Sequence, residues 1–139
     1  MWIQKIIKIK PKHRGFHLIT DYINDHVPDI VQIKIGNLTL FIQHTSASLT
    51  INENTDITVR EDLESHFDYL VPENQHYYKH IFEGPDDIPA HIKSSILGSS
   101  ISVPITNGEL NLGKWQGIYL CEHRKNGPIR TLIANIHGE

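Results

Sequence analysis

The segment Leu38-Thr39-Leu40-Phe41-Ile42 carries apolar side chains on both faces of an extended chain. Successive side chains of a strand point to opposite faces, so neither face of this one suits open water. Such a strand is covered on both sides, by a helix, a second sheet or another subunit. The rest of the chain offers both kinds of cover. Trp2 to Lys10, Ser46 to Asn52, Ser99 to Ile105, Gly117 to His123 and Ile129 to His137 read as further strands. Ile30 to Gly36 reads as another, with Gly36-Asn37 as a turn. Gly15 reads as a break. Asn107-Gly108 is a strong hairpin signal before Leu110 to Leu112.

Three segments read as helices. Thr20-Asp21 is expected to cap a short one that runs through about His26 and stops at Pro28. Asp56 caps the clearest one, in which Ile57, Val59, Leu63, Phe67 and Leu70 recur at helical spacing and Pro72 ends the run. Ile88 to Leu97 follows, with Pro89 in its first turn and Gly98 just past its end. Seven or eight strands and three helices, with strands before and after helices, predict an α+β domain on a largely antiparallel or mixed sheet.

At 139 residues the chain is one domain, 1–139, without repeat or linker. A chain this size buries about 68% of its unfolded surface and needs no disulfide or metal to hold a core. The 39% hydrophobic and 21% charged content excludes a disordered chain. No apolar run approaches the ~20 residues of a membrane span, so no membrane role is expected. Lysines interrupt the N-terminal apolar residues, which argues against a secretory leader. A single cysteine, Cys121, excludes an internal disulfide, and a cytoplasmic location is expected. The net charge is −3, with Lys and Arg scattered among acids, so nucleic acid is not an expected partner. Histidine is abundant, with 10 in the chain. That favours a metal or acid–base site without locating it.

Four clusters are candidates. Gln43-His44-Thr45-Ser46-Ala47-Ser48 lies where one strand ends and another begins; it is either a polar hairpin or a presented site. No G-x-S-x-G elbow accompanies it. Asn52-Glu53-Asn54-Thr55-Asp56 resembles the start of a calcium loop, but Ile57 and Leu63 stand where an EF-hand needs Gly and Glu. His80 and His91 straddle Glu83, Asp86 and Asp87. Imidazoles as ligands, with carboxylates as ligands or orienting acceptors, suit a metal; the alternative is a solvated acidic loop with Asp87 as helix cap. In the last cluster, Trp115 and Tyr119 read as packing. Lys114, Arg124 and Arg130 read as an anion patch or as plain surface, and Cys121 as inert packing.

Taken together, RGFHLITD, QHTSASLTINEN, EGPDDIPAHIKSSILGSS, LGKWQGIYLCEHR and the closing Ile-His-Gly-Glu resemble the YjbQ-like family, the secondary thiamine-phosphate synthases. The resemblance spans nearly the whole chain. It implies a small α+β fold that assembles as a homotrimer, with a histidine-lined cavity for a divalent metal, zinc first and magnesium as the alternative. The implied activity joins a hydroxymethylpyrimidine diphosphate to a thiazole phosphate with release of diphosphate. The residues in the matching motifs are His44, Ser46, Asn52, Asn54, His80, Asp86, Asp87, His91, Trp115, Gln116, Glu122 and Arg124. The expected metal ligands are His44, His80 and His91. Lys93 and Arg124 are expected at the diphosphate, and Asn52, Asn54 and Gln116 at the pyrimidine. Two rival readings stay open. One is a metal- or anion-binding protein without this chemistry. The other is a metal-dependent hydrolase of a phosphorylated or acyl substrate. His13, His26, His66 and His76 fall outside the motifs and are expected at the surface.

Overall fold

A computed structural model describes residues 1–139. The strands are β1 (Trp2–Ile9), β2 (His13–Leu18), β3 (Ile35–Ile42), β4 (Ala47–Glu53), β5 (Ser100–Thr106), β6 (Glu109–Leu110), β7 (Gln116–Asn126) and β8 (Arg130–Gly138). The helices are α1 (Thr20–His26), α2 (Ile57–Leu70) and α3 (Asp87–Leu97). Two sheets form, in the orders β1-β8-β3-β5-β6 and β2-β7-β4. Every pairing is antiparallel.

Strand alternation builds three layers. Leu38, Leu40 and Ile42 of β3 join Ala134 and Ile136 of β8 and meet Leu49 of β4 and Ile118 and Leu120 of β7 in one core. Each fully buried Leu or Ile there contributes roughly 1.5–3 kcal/mol before chain entropy. The odd residues of β7, Tyr119 and Cys121, point the other way. They pack with Phe16, with Leu63 and Phe67 of α2 and with Leu97 of α3. Helices therefore cover the small sheet, and the small sheet covers the large one. The outer face of the large sheet has no cover from this chain: Trp2 is 71%, Ile6 66%, Ile35 72% and Phe41 46% exposed.

The structure departs from the sequence reading in four places. Pro28–Gln32 is a short 3-10 helix, and the strand expected over Ile30 to Gly36 is absent. Gly36-Asn37 is not a turn but lies inside β3. A Cβ on Gly36 would stand 2.3 Å from the His137 carbonyl oxygen, so glycine here serves close strand approach. Gly15 sits within β2, next to a register shift against β7. Thr20 does not cap α1; its hydroxyl accepts from the Ile118 backbone N–H at 2.9 Å. Elsewhere local chemistry behaves as read. Asp56 caps α2 by accepting from the Thr58 N–H, and Asn107 and Gly108 both take positive φ in the β5–β6 turn.

Candidate metal centre and adjoining pocket

Helix α3 begins at Asp87, and its first turn places Asp87 and His91 on one face, four residues apart. The preceding loop returns His80 to the same point. The Nε2 atoms of His80 and His91 lie 2.7 and 3.1 Å from one oxygen of Asp87, Oδ2. The ligand-capable atoms of these three residues lie within 4.8 Å of one another. Asp87 is 1% exposed, and its other oxygen accepts from Arg124 Nη1 at 2.7 Å. Burial pushes the Asp87 carboxyl up. The His80 hydrogen bond, the charge of Arg124 and His91 more than offset it and hold Asp87 below the ordinary carboxylate range.

The tautomer of His91 is fixed by its surroundings. Its Nδ1 lies 2.9 Å from the Thr45 carbonyl oxygen, which can only accept, so Nδ1 carries the hydrogen. In the neutral ring Nε2 then presents a lone pair to an ionised carboxylate oxygen. A cation between them, a proton or a metal, removes that repulsion. Two imidazole nitrogens and one carboxylate, with the second carboxylate oxygen held by an arginine, is a donor set that suits zinc.

Arg124 organises the rim. It donates from Nε to Asp86 at 3.0 Å, from Nη1 to Asp87 and from Nη2 to the Glu83 carbonyl at 3.0 Å. Asp86 also accepts from the Lys125 N–H. The acidic turn is thereby tied to β7 rather than solvated. Beside His91 a cavity of about 330 Å³ runs along the C-terminal half of α3, lined by His44, Thr45, Ser94, Ser95, Gly98 and Ser99 among others.

The expected site residues separate into two groups. His80, Asp86, Asp87, His91 and Arg124 come together, and His44 lines the adjoining cavity. His44 does not join the ligand cluster: Asp87 stands in the place expected for it. Its Nε2 accepts from the Thr131 N–H at 2.8 Å and is unavailable to a metal. Burial and the nearby charge of Arg130 also push His44 below the ordinary histidine range.

The remaining residues serve the fold. Ser46 and Glu122 are enclosed, at 9% and 0% exposure, and both hold Arg130. Lys93 is 1% exposed and donates to Asp68 at 2.6 Å beneath α2, so it faces no diphosphate. Asn54 pins the Lys114 and Gln116 carbonyls, Gln116 accepts from the Gly113 N–H, and Asn52 accepts from the Glu53 N–H. These three lie at the far end of the small sheet. Ala47 to Asn52 alone spans roughly 17 Å of strand. Arg124 meets carboxylates rather than open space, which makes it a positioning group. Ser94 and Ser99, which line the cavity, gave no signal in the sequence beyond sitting near a glycine. His13, His26, His66 and His76 are exposed, as expected.

The sequence matches the model of the UPF0047 protein YjbQ-like family over residues 5–139. The UPF0047 protein YjbQ of Salmonella typhimurium is 52% identical over 139 residues, which is 100% of both chains. The UPF0047 protein sll1880 of Synechocystis is 42% identical, over 98% of this chain and 92% of its own. A solved structure of an uncharacterised YjbQ/UPF0047 protein from Clostridium acetobutylicum superposes with a TM-score of 0.79 at 36% identity, covering 97% of this chain and 99% of its own. A YbjQ-like protein of unknown function from Sulfolobus solfataricus shares the fold, with a TM-score of 0.87 at 24% identity and coverage of 100% and 99%. With a family match over nearly its whole length and a relative half identical from end to end, the chain belongs to the YjbQ-like UPF0047 family.

Proposed function

We propose that this chain is a metal-dependent transferase of the thiamine-phosphate synthase type, acting in the cytoplasm on small phosphorylated substrates. The observation that carries the reading is the His91 ring. Its Nδ1 is committed to Thr45, so its Nε2 lone pair meets the Asp87 carboxylate and calls for a cation. His80, Asp87 and His91 would hold a divalent metal, zinc first and magnesium as the alternative. When bound, the metal supplies positive charge where a leaving diphosphate gathers negative charge. Arg124 keeps Asp87 ionised and oriented, and the Thr45 carbonyl keeps the His91 ring in register. The cavity beside His91 gives the rest of a substrate a place next to the metal.

His91→Ala is expected to abolish zinc binding and thiamine-phosphate formation while changing the melting temperature little. The ring is partly exposed, and its loss removes one hydrogen bond to a backbone carbonyl, a loss of about 1 kcal/mol. Metal content, diphosphate release and thermal melting are measured on the same preparations. A variant that keeps its metal and its turnover overturns the site. A parent protein that binds zinc but forms no thiamine phosphate is the metal-binding alternative.

We further propose a homotrimer. Trp2, Ile6, Ile35 and Phe41 stand exposed on a sheet face that no element of this chain covers, and a sheet face of that kind suits burial against other copies. Light scattering at micromolar concentration is expected to give about three times the 15.9 kDa protomer. A mass of one protomer overturns this.

A further inference from the structure

Helix α2 is fastened differently from the rest of the molecule. None of its 14 residues is buried. Leu63 and Phe67 reach inward and meet Phe16, Tyr119 and Cys121, a cluster of three buried residues set apart from the 19 buried residues between the sheets. Hollows of about 460 and 300 Å³ open along two flanks of the helix. The first lies between Ile57, Arg60 and Glu64 and strand β2, and the second is bordered by Val59, Leu63 and Phe67.

Charge supplies much of the remaining contact. The helix carries Glu61, Asp62, Glu64 and Asp68 against a single arginine, Arg60. Beneath it, Arg14 of β2 lies 3.5 Å from Glu64 and 4.0 Å from Asp68, and Lys93 of α3 donates to Asp68 at 2.6 Å. Asp68 itself is far from buried, with its side chain 40% exposed. The backbone hydrogen bonds of α2 stay within the helix and its caps, so lifting it takes no partner from any strand. Few buried apolar contacts and open flanks put a segment at the low-stability end of a fold. Ion pairs with a solvent-exposed member weaken as salt rises.

We propose that α2 is a salt-sensitive cover that detaches from β2 and α3 as one unit while both sheets stay paired, opening Tyr119 and Cys121 of β7 to solvent. Asp68, shared by Arg14 and Lys93, is its latch. Opening lets water reach Lys93, Arg14 and Asp68, so each charge exchanges a partner for hydration.

Cys121 is the reporter. It is the only cysteine, it has no exposed surface, and burial pushes its thiol up to about 12, so it reacts only when uncovered. Iodoacetamide, an uncharged reagent, is applied in low and high salt, about 0.05 and 0.5 M. Urea is varied below the unfolding transition, and each rate is divided by that of the unfolded chain. The rate is expected to stay nearly flat in low urea, because a local opening exposes little surface. It is expected to rise about fivefold in high salt, and about fivefold in Asp68→Asn at low salt. The proposal is overturned if labelling follows the full urea dependence of global unfolding, if both salts give one rate, or if Asp68→Asn labels as slowly as the parent. Should Asp68→Asn fail to fold, the parent's urea and salt readings decide.

Discussion

Glu122→Ala is expected to destabilise the protein by about 3–5 kcal/mol, the usual cost of breaking a buried ion pair by removing one partner. Glu122 has no exposed surface, and Arg130, at the start of β8 in the other sheet, is 2% exposed. Two parallel hydrogen bonds join them, with Arg130 Nε 2.7 Å from Glu122 Oε1. The carboxylate also accepts the Arg124 N–H at 3.0 Å, and the guanidinium donates to the Ser46 carbonyl and hydroxyl. Alanine leaves the arginine charged, dry and short of acceptors. A Glu122→Met, Arg130→Met pair removes both charges and is expected to recover most of the loss, because the desolvation cost goes with them. Gly127 packs on the same carboxylate: a Cβ there would stand 1.9 Å from Glu122 Oε1. Urea unfolding of the single and double variants reads the difference. A loss below about 1 kcal/mol for Glu122→Ala would mean that Arg130 reaches water when its partner goes, and the buried-pair account would be wrong.

Glu122 also illustrates what the sequence could and could not disclose. Strands covered on both sides were plain in it, because the apolar runs over Leu38 to Ile42 and Gly117 to His123 are a local signal. The β2 strand was not. It is six residues long and carries two histidines, an arginine and a glycine, and its pairing with β7 is what makes it a strand. The apolar spacing in α2 was real, yet none of its residues is buried. Leu63 and Phe67 touch Phe16, while Arg14, Glu64, Asp68 and Lys93 fill much of the remaining contact with charge.

At the site, Asp87 and His91 were readable as a helical i, i+4 pair, and His80 as the histidine just before the acidic turn. The roles of Lys93, Glu122 and Ser46 were not readable. Each is decided by a partner distant in sequence: Asp68 for Lys93, Arg130 for the other two. Asn52, Asn54 and Gln116 carry the same lesson, since their polar ends close loops at the opposite end of the small sheet.

His123 governs the second large effect, a loss of stability on mild acidification. It is 2% exposed on the helix-facing side of β7, and its Nε2 lies 2.8 Å from Ser48 Oγ. Burial lowers its pKa most. The charges of Lys93, Arg130 and Arg14 push the same way against a smaller opposing pull from Asp68, and the result is about 3. The unfolded chain takes up a proton near the ordinary histidine value of about 6.5, and the folded chain does not until about 3. Between those values the unfolded state binds one more proton, so stability falls as pH falls, by about 1.4 kcal/mol per unit. From pH 7 to pH 5 this single group removes about 2 kcal/mol. His123→Gln places an amide where the ring nitrogen sat, keeps a partner for Ser48 and has no proton to take up. Its stability is therefore expected to decline less than the parent's over that interval, by about 2 kcal/mol. His17 and His44 are also lowered, burial being the largest cause in each, and they titrate in the same direction. They are common to both proteins and cancel in the comparison. Urea unfolding at half-unit steps from pH 7 to pH 5 provides the two slopes. Parallel slopes would show that the imidazole at position 123 is protonated or solvated in the folded state, contrary to its place beneath α2 and α3.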